Sequence, residues 1–311
     1  MTSDSAPARI PEWQLALLKR HQLGRGYLDT ALQWFAPLAR ALAEHQSGAQ
    51  RPILVAINGC QGSGKTTVGD YLCSALAEEH DLNAVALSLD DFYLTLAERQ
   101  ALASSVHPLL VTRGVPGTHD MGLLRDTLGQ LLEVDRHGAV AIPRFDKAID
   151  DRRPRADWDR MAAPVQVVLL EGWCLGARSQ DDDLLTAPMN ELERNEDSDG
   201  LWRGYSNNIL ARDFQPLYEQ VDQWVMLRAP SFDCVFDWRR EQEQKLAATL
   251  PADQADGLMD DAALHRFIQH YERITRYCLD ELPHHVNHLF TLNEQRRVTG
   301  YSHRLLPGGV P

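Results

Sequence analysis

Five short apolar runs, partly β-branched, divide the chain, and helical patterns or long insertions lie between them. The runs are found at residues 53–58, 84–89, 165–171, 223–228 and 288–293. Each has the length and composition of a strand that is buried on both faces. Strands that alternate with helices along a chain form a parallel sheet with helices on both sides. The pattern therefore predicts an α/β fold with three layers around a five-stranded parallel sheet.

The segments outside these runs predict an N-terminal extension and two insertions. Apolar residues recur every three or four positions in residues 10–47, so residues 1–50 are predicted to form a helical extension that packs on the main body. Residues 51–311 are predicted to form one main domain, although 311 residues could also build two modest domains. Within the main domain we expect a solvated acidic flap at 181–204 and a helical lid at 234–285, with a mobile insert at 246–261.

A glycine-rich segment follows the first predicted strand and precedes a helical pattern. Its letters GCQGSGKT match G-x-x-x-x-G-K-[ST], with Gly59, Gly64, Lys65 and Thr66 at the defined positions. The amides of such a loop bind phosphates, while Lys65 is predicted to reach the β- and γ-phosphates and Thr66 to hold Mg²⁺. A glycine-rich turn with a solvated lysine is the alternative. The predicted ATP site comprises Gly59, Cys60, Gln61, Gly62, Ser63, Gly64, Lys65, Thr66 and Thr67.

Charge and composition narrow the class of protein. The net charge is −13, and residues 181–199 alone contain eight acids and one arginine. Such a chain is poorly suited to nucleic acid, which is bound through Lys and Arg. No apolar stretch has the length of a membrane span, and the N-terminus lacks a signal pattern, so we expect a cytoplasmic protein without a membrane partner. Five scattered cysteines indicate neither disulfides nor a zinc site.

Acidic residues lie at the ends of the second and third predicted strands, the edge of the sheet where such folds bind ligands. Asp90 is predicted to be the general base that accepts the proton of an attacking hydroxyl, and Asp91 to contact metal or substrate. Glu171 ends the third strand at a position suited to organising Mg²⁺, so Thr66, Glu171 and Asp90 are the predicted metal-binding residues. A pair of helix N-caps is the structural alternative for Asp90 and Asp91.

Two loops between these strands carry further polar side chains. Arg113 and His119 lie in one loop, whereas Asp120 beside them is predicted to cap the helix that follows. The second loop, with the letters RFDKAIDDR, carries several cations, which indicate an anionic acceptor, although a solvated loop would have a similar composition. The predicted acceptor-binding residues are Asp91, Tyr93, Arg113, His119, Asp146, Lys147 and Arg152, with Arg144 nearby.

A helical pattern after the fourth predicted strand, FDWRREQEQKL, carries two adjacent arginines. An arginine from a mobile lid can neutralise charge on a transferred phosphoryl group, and Arg239 is the predicted catalytic residue here, with Arg240 as the other candidate. The alternative is a surface helix with salt bridges between neighbouring turns, and the position of Glu243 supports it.

Taken together, these motifs resemble the P-loop kinases that include uridine kinase, phosphoribulokinase and bacterial pantothenate kinase. The resemblance is greatest to plant-type D-glycerate 3-kinase and its microbial relatives, and it rests on the order of GCQGSGKTT, LSLDDFYLT, TRGVPGTHD, RFDKAIDDR, LLEGWCLG and DWRREQEQKL. It implies transfer of a phosphoryl group from ATP to the 3-hydroxyl of D-glycerate with Mg²⁺. It also puts Asp90 at the position of the catalytic aspartate of that family.

Other functions remain open at this point. A nucleoside or pantothenate kinase belongs to the same class, and aromatic residues such as Phe92, Tyr93, Phe145 and Trp173 could stack on a base. The cationic loops favour a small anionic acceptor instead. An ATP-binding regulatory protein is the alternative from another class, and acceptor-dependent ADP release would distinguish it from a kinase. The sequence also leaves a homo-oligomer open.

Overall fold

The computed structural model describes residues 10–133, 137–247 and 260–306, with the backbone alone described for 242–247. Its helices are α1 Glu12–Arg20, α2 Gly26–Thr30, α3 Ala36–Ala49, α4 Lys65–His80, α5 Leu96–Ser105, α6 Met121–Leu131, α7 Asp182–Thr186, α8 Glu191–Glu196, α9 Leu201–Ile209, α10 Gln215–Tyr218, α11 Asp233–Ala247 and α12 Asp261–Asp280. Its strands are β1 Ile53–Gly59, β2 Ala84–Ser88, β3 Ala139–Ile142, β4 Phe145–Asp146, β5 Asp151–Arg152, β6 Asp159–Ala162, β7 Val167–Gly172, β8 Gln223–Arg228, β9 His288–Leu292 and β10 Val298–His303. Within these described ranges, no helix combines the length and apolar character that crossing a membrane requires.

The central sheet contains six strands in the order β10-β9-β8-β1-β7-β2. The five predicted strands are all present and parallel to one another, and β1 lies between β7 and β8. The sixth strand, β10, pairs antiparallel with β9 at the edge of the sheet and is mostly exposed. The prediction of five strands was therefore one short, because β10 (VTGYSH) has no apolar run that would mark it as buried.

Helices cover both faces of this sheet and form the three predicted layers. Because side chains alternate along a strand, Ile53, Val55 and Ile57 of β1 pack into one core with α3 and α4. Leu54 points to the other face and packs into a second core with α6 and α9. The carboxyl ends of β1, β2 and β7 meet at one edge, where the predicted chemical residues lie.

The N-terminal helices contribute directly to the first core. Phe35, just before α3, has its ring centroid 5.5 Å from that of Phe290 in β9 and 6.2 Å from that of Tyr71 in α4. All three residues are buried. The extension thus packs against both the phosphate-loop helix and a strand near the other end of the chain.

The acidic segment 181–199 differs from the prediction of a solvated loop. It contains α7 and α8, and two of its carboxylates are almost fully buried. Glu193 pairs with Arg273 of α12 at 2.6 Å, and Asp197 pairs with Arg203 of α9 at 2.7 Å. The acidic composition suggested a solvated loop because the arginines that pair with these two carboxylates lie outside the segment. The predicted lid at 234–285 contains the two helices α11 and α12. The predicted insert at 246–261 falls largely on residues 248–259, which lie outside the described residues.

Candidate active site

A cleft opens at the carboxyl ends of β1, β2 and β7. It has about 1070 Å³ of empty space, counted together with its open side. This space is large enough for a nucleotide phosphate chain beside a small acceptor. The cleft is lined by Gln61, Gly62, Lys65, Thr66, Ser88, Asp90, Asp91, Tyr93, Arg113, Lys147, Glu171, Gly172, Trp173, Arg239, Phe267 and Tyr271.

The predicted phosphate loop connects β1 to α4 in the expected way. Gly64 directly precedes the helix with φ of 96°, a left-handed conformation that suits glycine. Because α4 begins at Lys65, its unpaired amides and the positive end of its dipole point toward the loop. This arrangement can bind phosphate oxygens. The Lys65 Nζ donates to the carbonyl oxygen of Cys60 at 3.2 Å.

Two oxygen-bearing side chains lie beside this loop. The Thr66 hydroxyl donates to Oε1 of Glu171 at 3.1 Å, and Lys65 Nζ lies 3.9 Å from Oε2 of the same carboxylate. Glu171 is 6% exposed at the end of β7. A hydroxyl and a carboxylate oxygen so close together are hard ligands of the kind that Mg²⁺ binds. Thr66 and Glu171 therefore fit a magnesium ion, while a metal-binding role for Asp90 stays a prediction.

Thr67, the last predicted residue of the ATP site, faces the N-terminal extension. Its hydroxyl lies 3.4 Å from Nδ1 of His21, and Nε2 of His21 lies 2.8 Å from a carboxylate oxygen of Asp70 in α4. His21 follows α1, so the extension contacts the first turns of the phosphate-loop helix.

Asp90 follows β2 and is held from two sides. Lys147 Nζ donates to Oδ2 at 2.6 Å, and the Tyr93 hydroxyl donates to Oδ1 at 2.6 Å. Burial acts to raise the pKa of Asp90, but the charge of Lys147 and these two hydrogen bonds outweigh it and hold the pKa well below its ordinary value. Asp90 is thus a carboxylate at neutral pH. The N-cap alternative finds no support, since neither aspartate occupies an N-cap position. Ser88 is the N-cap of the short 3₁₀ turn Leu89–Phe92, and Thr95 caps the following helix α5.

Asp91 lines the cleft too, but its oxygens hold the neighbouring loop. Oδ2 accepts from Arg144 at 2.6 Å, and Oδ1 accepts from the backbone N–H of Phe145 at 3.0 Å. Burial raises the pKa of Asp91 despite these bonds. These two hydrogen bonds of Asp91 fix the start of the β4–β5 hairpin, and the loop of this hairpin brings Lys147 to Asp90.

Arg113 reaches the cleft from the loop that follows α5. Its guanidinium pairs with Asp150 and lies over the ring of Phe145, 5.6 Å from the centroid. Asp150 also binds the buried Arg99 at 3.0 Å. The loop itself is fixed from α12, because the Tyr271 hydroxyl donates to the Arg113 carbonyl oxygen at 3.1 Å. Gly114 has φ of 131°, and a Cβ there would lie 2.5 Å from the hydroxyl of Tyr271.

Three predicted acceptor residues are absent from the lining of the cleft. Arg152 donates to the Tyr93 carbonyl oxygen at 2.8 Å and to Asp120 at 3.1 Å, so it braces two elements of the site. Asp146 pairs with Arg153 at 3.3 Å in the hairpin loop. His119 packs beside Tyr93 with ring centroids 4.7 Å apart, and burial lowers its pKa to about 4. Asp120 caps α6 as predicted, accepting from the Leu123 N–H at 2.9 Å.

The lid arginines differ in position. Arg239 lines the cleft with its guanidinium 5.9 Å from the ring centroid of Phe267, whereas Arg240 pairs with Asp237 at 3.0 Å. Phe267 and Tyr271 of α12 were missed from the sequence. They share one helix face four residues apart, a spacing that a core helix would also show.

Comparison with known proteins gives the family. No protein-family model matches the chain. The chain is 32% identical over 253 residues to "Uncharacterized kinase mug58" of Schizosaccharomyces pombe, covering 79% of this chain and 84% of the relative. It is 30% identical over 221 residues to "D-glycerate 3-kinase, chloroplastic" of Arabidopsis thaliana, covering 68% of this chain and 45% of the relative.

A solved structure agrees with these relatives. D-glycerate 3-kinase from Cryptococcus neoformans superposes with a TM-score of 0.69 at 25% identity, and the match covers 86% of this chain and 99% of that one. The fold is thus that of the P-loop kinases, as predicted. The phosphate loop, the cleft at the strand ends and these similarities together establish that the chain belongs to the kinases of the D-glycerate 3-kinase group.

Proposed function

We propose that this kinase transfers the γ-phosphoryl group of ATP to a hydroxyl of a small anionic acceptor, and that the acceptor is D-glycerate with its 3-hydroxyl. The observation that carries the proposal is one cleft that contains Lys65 of the phosphate loop, the carboxylate of Asp90 and the cation Arg113. Two relatives named D-glycerate 3-kinase support the choice of acceptor.

The phosphate side of the cleft belongs to the loop and α4. The loop amides and Lys65 bind the β- and γ-phosphate oxygens of ATP. To reach them, the Lys65 side chain gives up its hydrogen bond to the Cys60 carbonyl oxygen. Thr66 and Glu171 would hold Mg²⁺, which supplies positive charge to the phosphates when it is bound. Arg239, which lines the same cleft, neutralises charge that develops on the transferred group.

Asp90 orients the acceptor. Its low pKa makes it a weak base but a constant hydrogen-bond acceptor, which suits a reaction whose catalysis depends mainly on positioning. The acceptor hydroxyl donates to Oδ2 in place of Lys147 and passes its proton to that oxygen as its bond to the γ-phosphorus forms. The bond from the γ-phosphorus to the oxygen that bridges it to the β-phosphate breaks, and ADP leaves. Lys147 is 59% exposed at its side chain and free to turn toward the acceptor carboxylate.

Arg113 binds the acceptor carboxylate. One of its nitrogens, Nη1, is used by Asp150, which leaves the other edge of the guanidinium for a second carboxylate. A small acceptor fits best, because Trp173 and Tyr271 close this end of the cleft in an edge-to-face pair 4.9 Å apart.

The test is ADP release from ATP and Mg²⁺ with D-glycerate, uridine or pantothenate varied in turn. We expect saturable release with D-glycerate, formation of a phosphorylated product, and little release without an acceptor. Saturable phosphorylation of uridine or pantothenate with no response to D-glycerate would assign another acceptor to the same fold. A rate of ADP release that is the same with and without each of the three acceptors would indicate a regulatory ATPase.

A further inference from the structure

A second pocket lies apart from the cleft, between α12 and the segment that carries α7, α8 and α9. Its walls are largely apolar and include Leu185, Leu210 and Ile274. Two cations in its lining, Arg203 and Arg273, are neutralised by the buried partners Asp197 and Glu193. The framework around the pocket therefore contributes little net charge.

Three nearly buried polar groups in this lining have no hydrogen-bond partner among the described residues. They are the indole N–H of Trp202, the hydroxyl of Ser206 and Nε2 of His270, on residues that are 4%, 5% and 3% exposed. Buried polar groups in native proteins are almost always paired, because leaving one unpaired is costly. Three such groups around one pocket indicate that a molecule binds there.

The chemistry of these groups specifies part of that molecule. Nδ1 of His270 lies 3.1 Å from the carbonyl oxygen of Phe267 and 3.3 Å from that of Arg266, so Nδ1 carries the proton. Burial lowers the pKa of His270 to about 4, and Nε2 is therefore a bare acceptor at neutral pH. The Trp202 indole can only donate. A hydroxyl group satisfies both, since it donates to Nε2 while it accepts from the indole.

The size of the pocket and the charge at its rim indicate the remaining features of the bound molecule. The inner part has room for about one water molecule, which is also the size of a hydroxyl. Arg178 lies exposed at the rim, where it can bind a carboxylate. We propose that this pocket is a second binding site, for a small hydroxycarboxylate whose hydroxyl enters toward Trp202 and His270 and whose carboxylate binds Arg178. A single ordered water is the competing occupant, and it requires no carboxylate.

The test is NMR of the full chain with nitrogen-15 in its tryptophan indoles, with the Trp202 signal assigned from Trp202→Phe. The probes are 3-hydroxypropionate, propionate, which lacks the hydroxyl, and 1-propanol, which lacks the carboxylate. We expect 3-hydroxypropionate to shift the Trp202 indole signal saturably, with a Kd at least about five-fold lower than that of either analogue. The half-buried Trp158, whose indole donates to the Arg153 carbonyl oxygen, serves as an internal control and should not respond.

Variants separate this pocket from the cleft. Arg178→Ala should weaken binding of 3-hydroxypropionate about three- to ten-fold, whereas Arg212→Ala, at another exposed arginine, should leave it unchanged. Arg113→Ala, in the cleft, should preserve the Trp202 shift. The proposal is overturned by no saturable shift, by equal affinity for the three probes, or by an Arg178→Ala protein that binds like the wild type. Each of these results leaves the proposed kinase reaction untouched.

Discussion

Replacing Arg113 by alanine tests the acceptor site with the least damage to the ATP site. The proposed bond from Arg113 to the acceptor carboxylate is charge-assisted, and such a bond is worth roughly 1.5–3 kcal/mol. Its loss should raise the KM for D-glycerate about ten- to a hundred-fold. The KM for ATP should change little, because Arg113 lies in a loop apart from the phosphate loop.

The contacts of Arg113 also set the expected cost in stability. The variant loses the pair with Asp150 and the contact with the Phe145 ring, each worth about 1 kcal/mol or less at a partly exposed site. Asp150 keeps its second partner, Arg99, so no charge is left unpaired. We expect a fall in Tm of less than about 10 °C, which leaves a folded enzyme at assay temperature.

Steady-state kinetics with each substrate varied in turn is the assay, and Arg153→Ala is the matched control. Arg153 is half exposed, pairs with Asp146 and does not line the cleft, so its removal should affect neither KM. An equal rise of both KM values in Arg113→Ala, or an unchanged KM for D-glycerate, would refute the assignment of Arg113 as the carboxylate-binding residue.

Four further substitutions test the other parts of the site. Lys65→Ala should lower kcat by about 10² or more while the protein stays folded, and undiminished turnover would contradict the phosphate-loop assignment. Asp90→Asn should cut phosphoryl transfer about 10²- to 10⁴-fold while ATP binding, measured by calorimetry, stays the same. Lys147→Met removes the charge that depresses the pKa of Asp90, so this pKa rises and the acidic limb of the pH–rate profile should move to higher pH; an unmoved limb would argue against the pair. Tyr271→Phe loses the bond to the Arg113 carbonyl oxygen and should raise the KM for D-glycerate by up to about ten-fold, whereas Tyr277→Phe on the same helix should not.

Much of the cleft could be predicted because its residues lie in the sequence at or just after the ends of strands. Lys65 and Asp90 follow β1 and β2, and Glu171 is the last residue but one of β7, so the parallel order of the strands brings them to one edge. Phe267 and Tyr271 could not be predicted in this way. They lie in the middle of a long helix, where an aromatic pair four residues apart looks the same whether it faces a core or a cleft.

Charge patterns were less informative than strand ends. The acids of 181–199 suggested a solvated loop because composition does not reveal partners such as Arg273, which lies far along the chain. For the same reason Arg152 resembled a substrate-binding cation, although its guanidinium is used by the Tyr93 carbonyl oxygen and Asp120. Pairing between distant residues is a property of the folded chain rather than of any local pattern.

The packing of Phe35 against Phe290 has a consequence for how the chain matures. During synthesis Phe35 is made well before its partner Phe290 in β9, because the two residues lie far apart in sequence. Until β9 arrives, the apolar face of the extension has no complete partner and is exposed to premature association. Closure of the first core thus waits for a contact between segments that lie far apart in sequence, and such contacts favour slow folding.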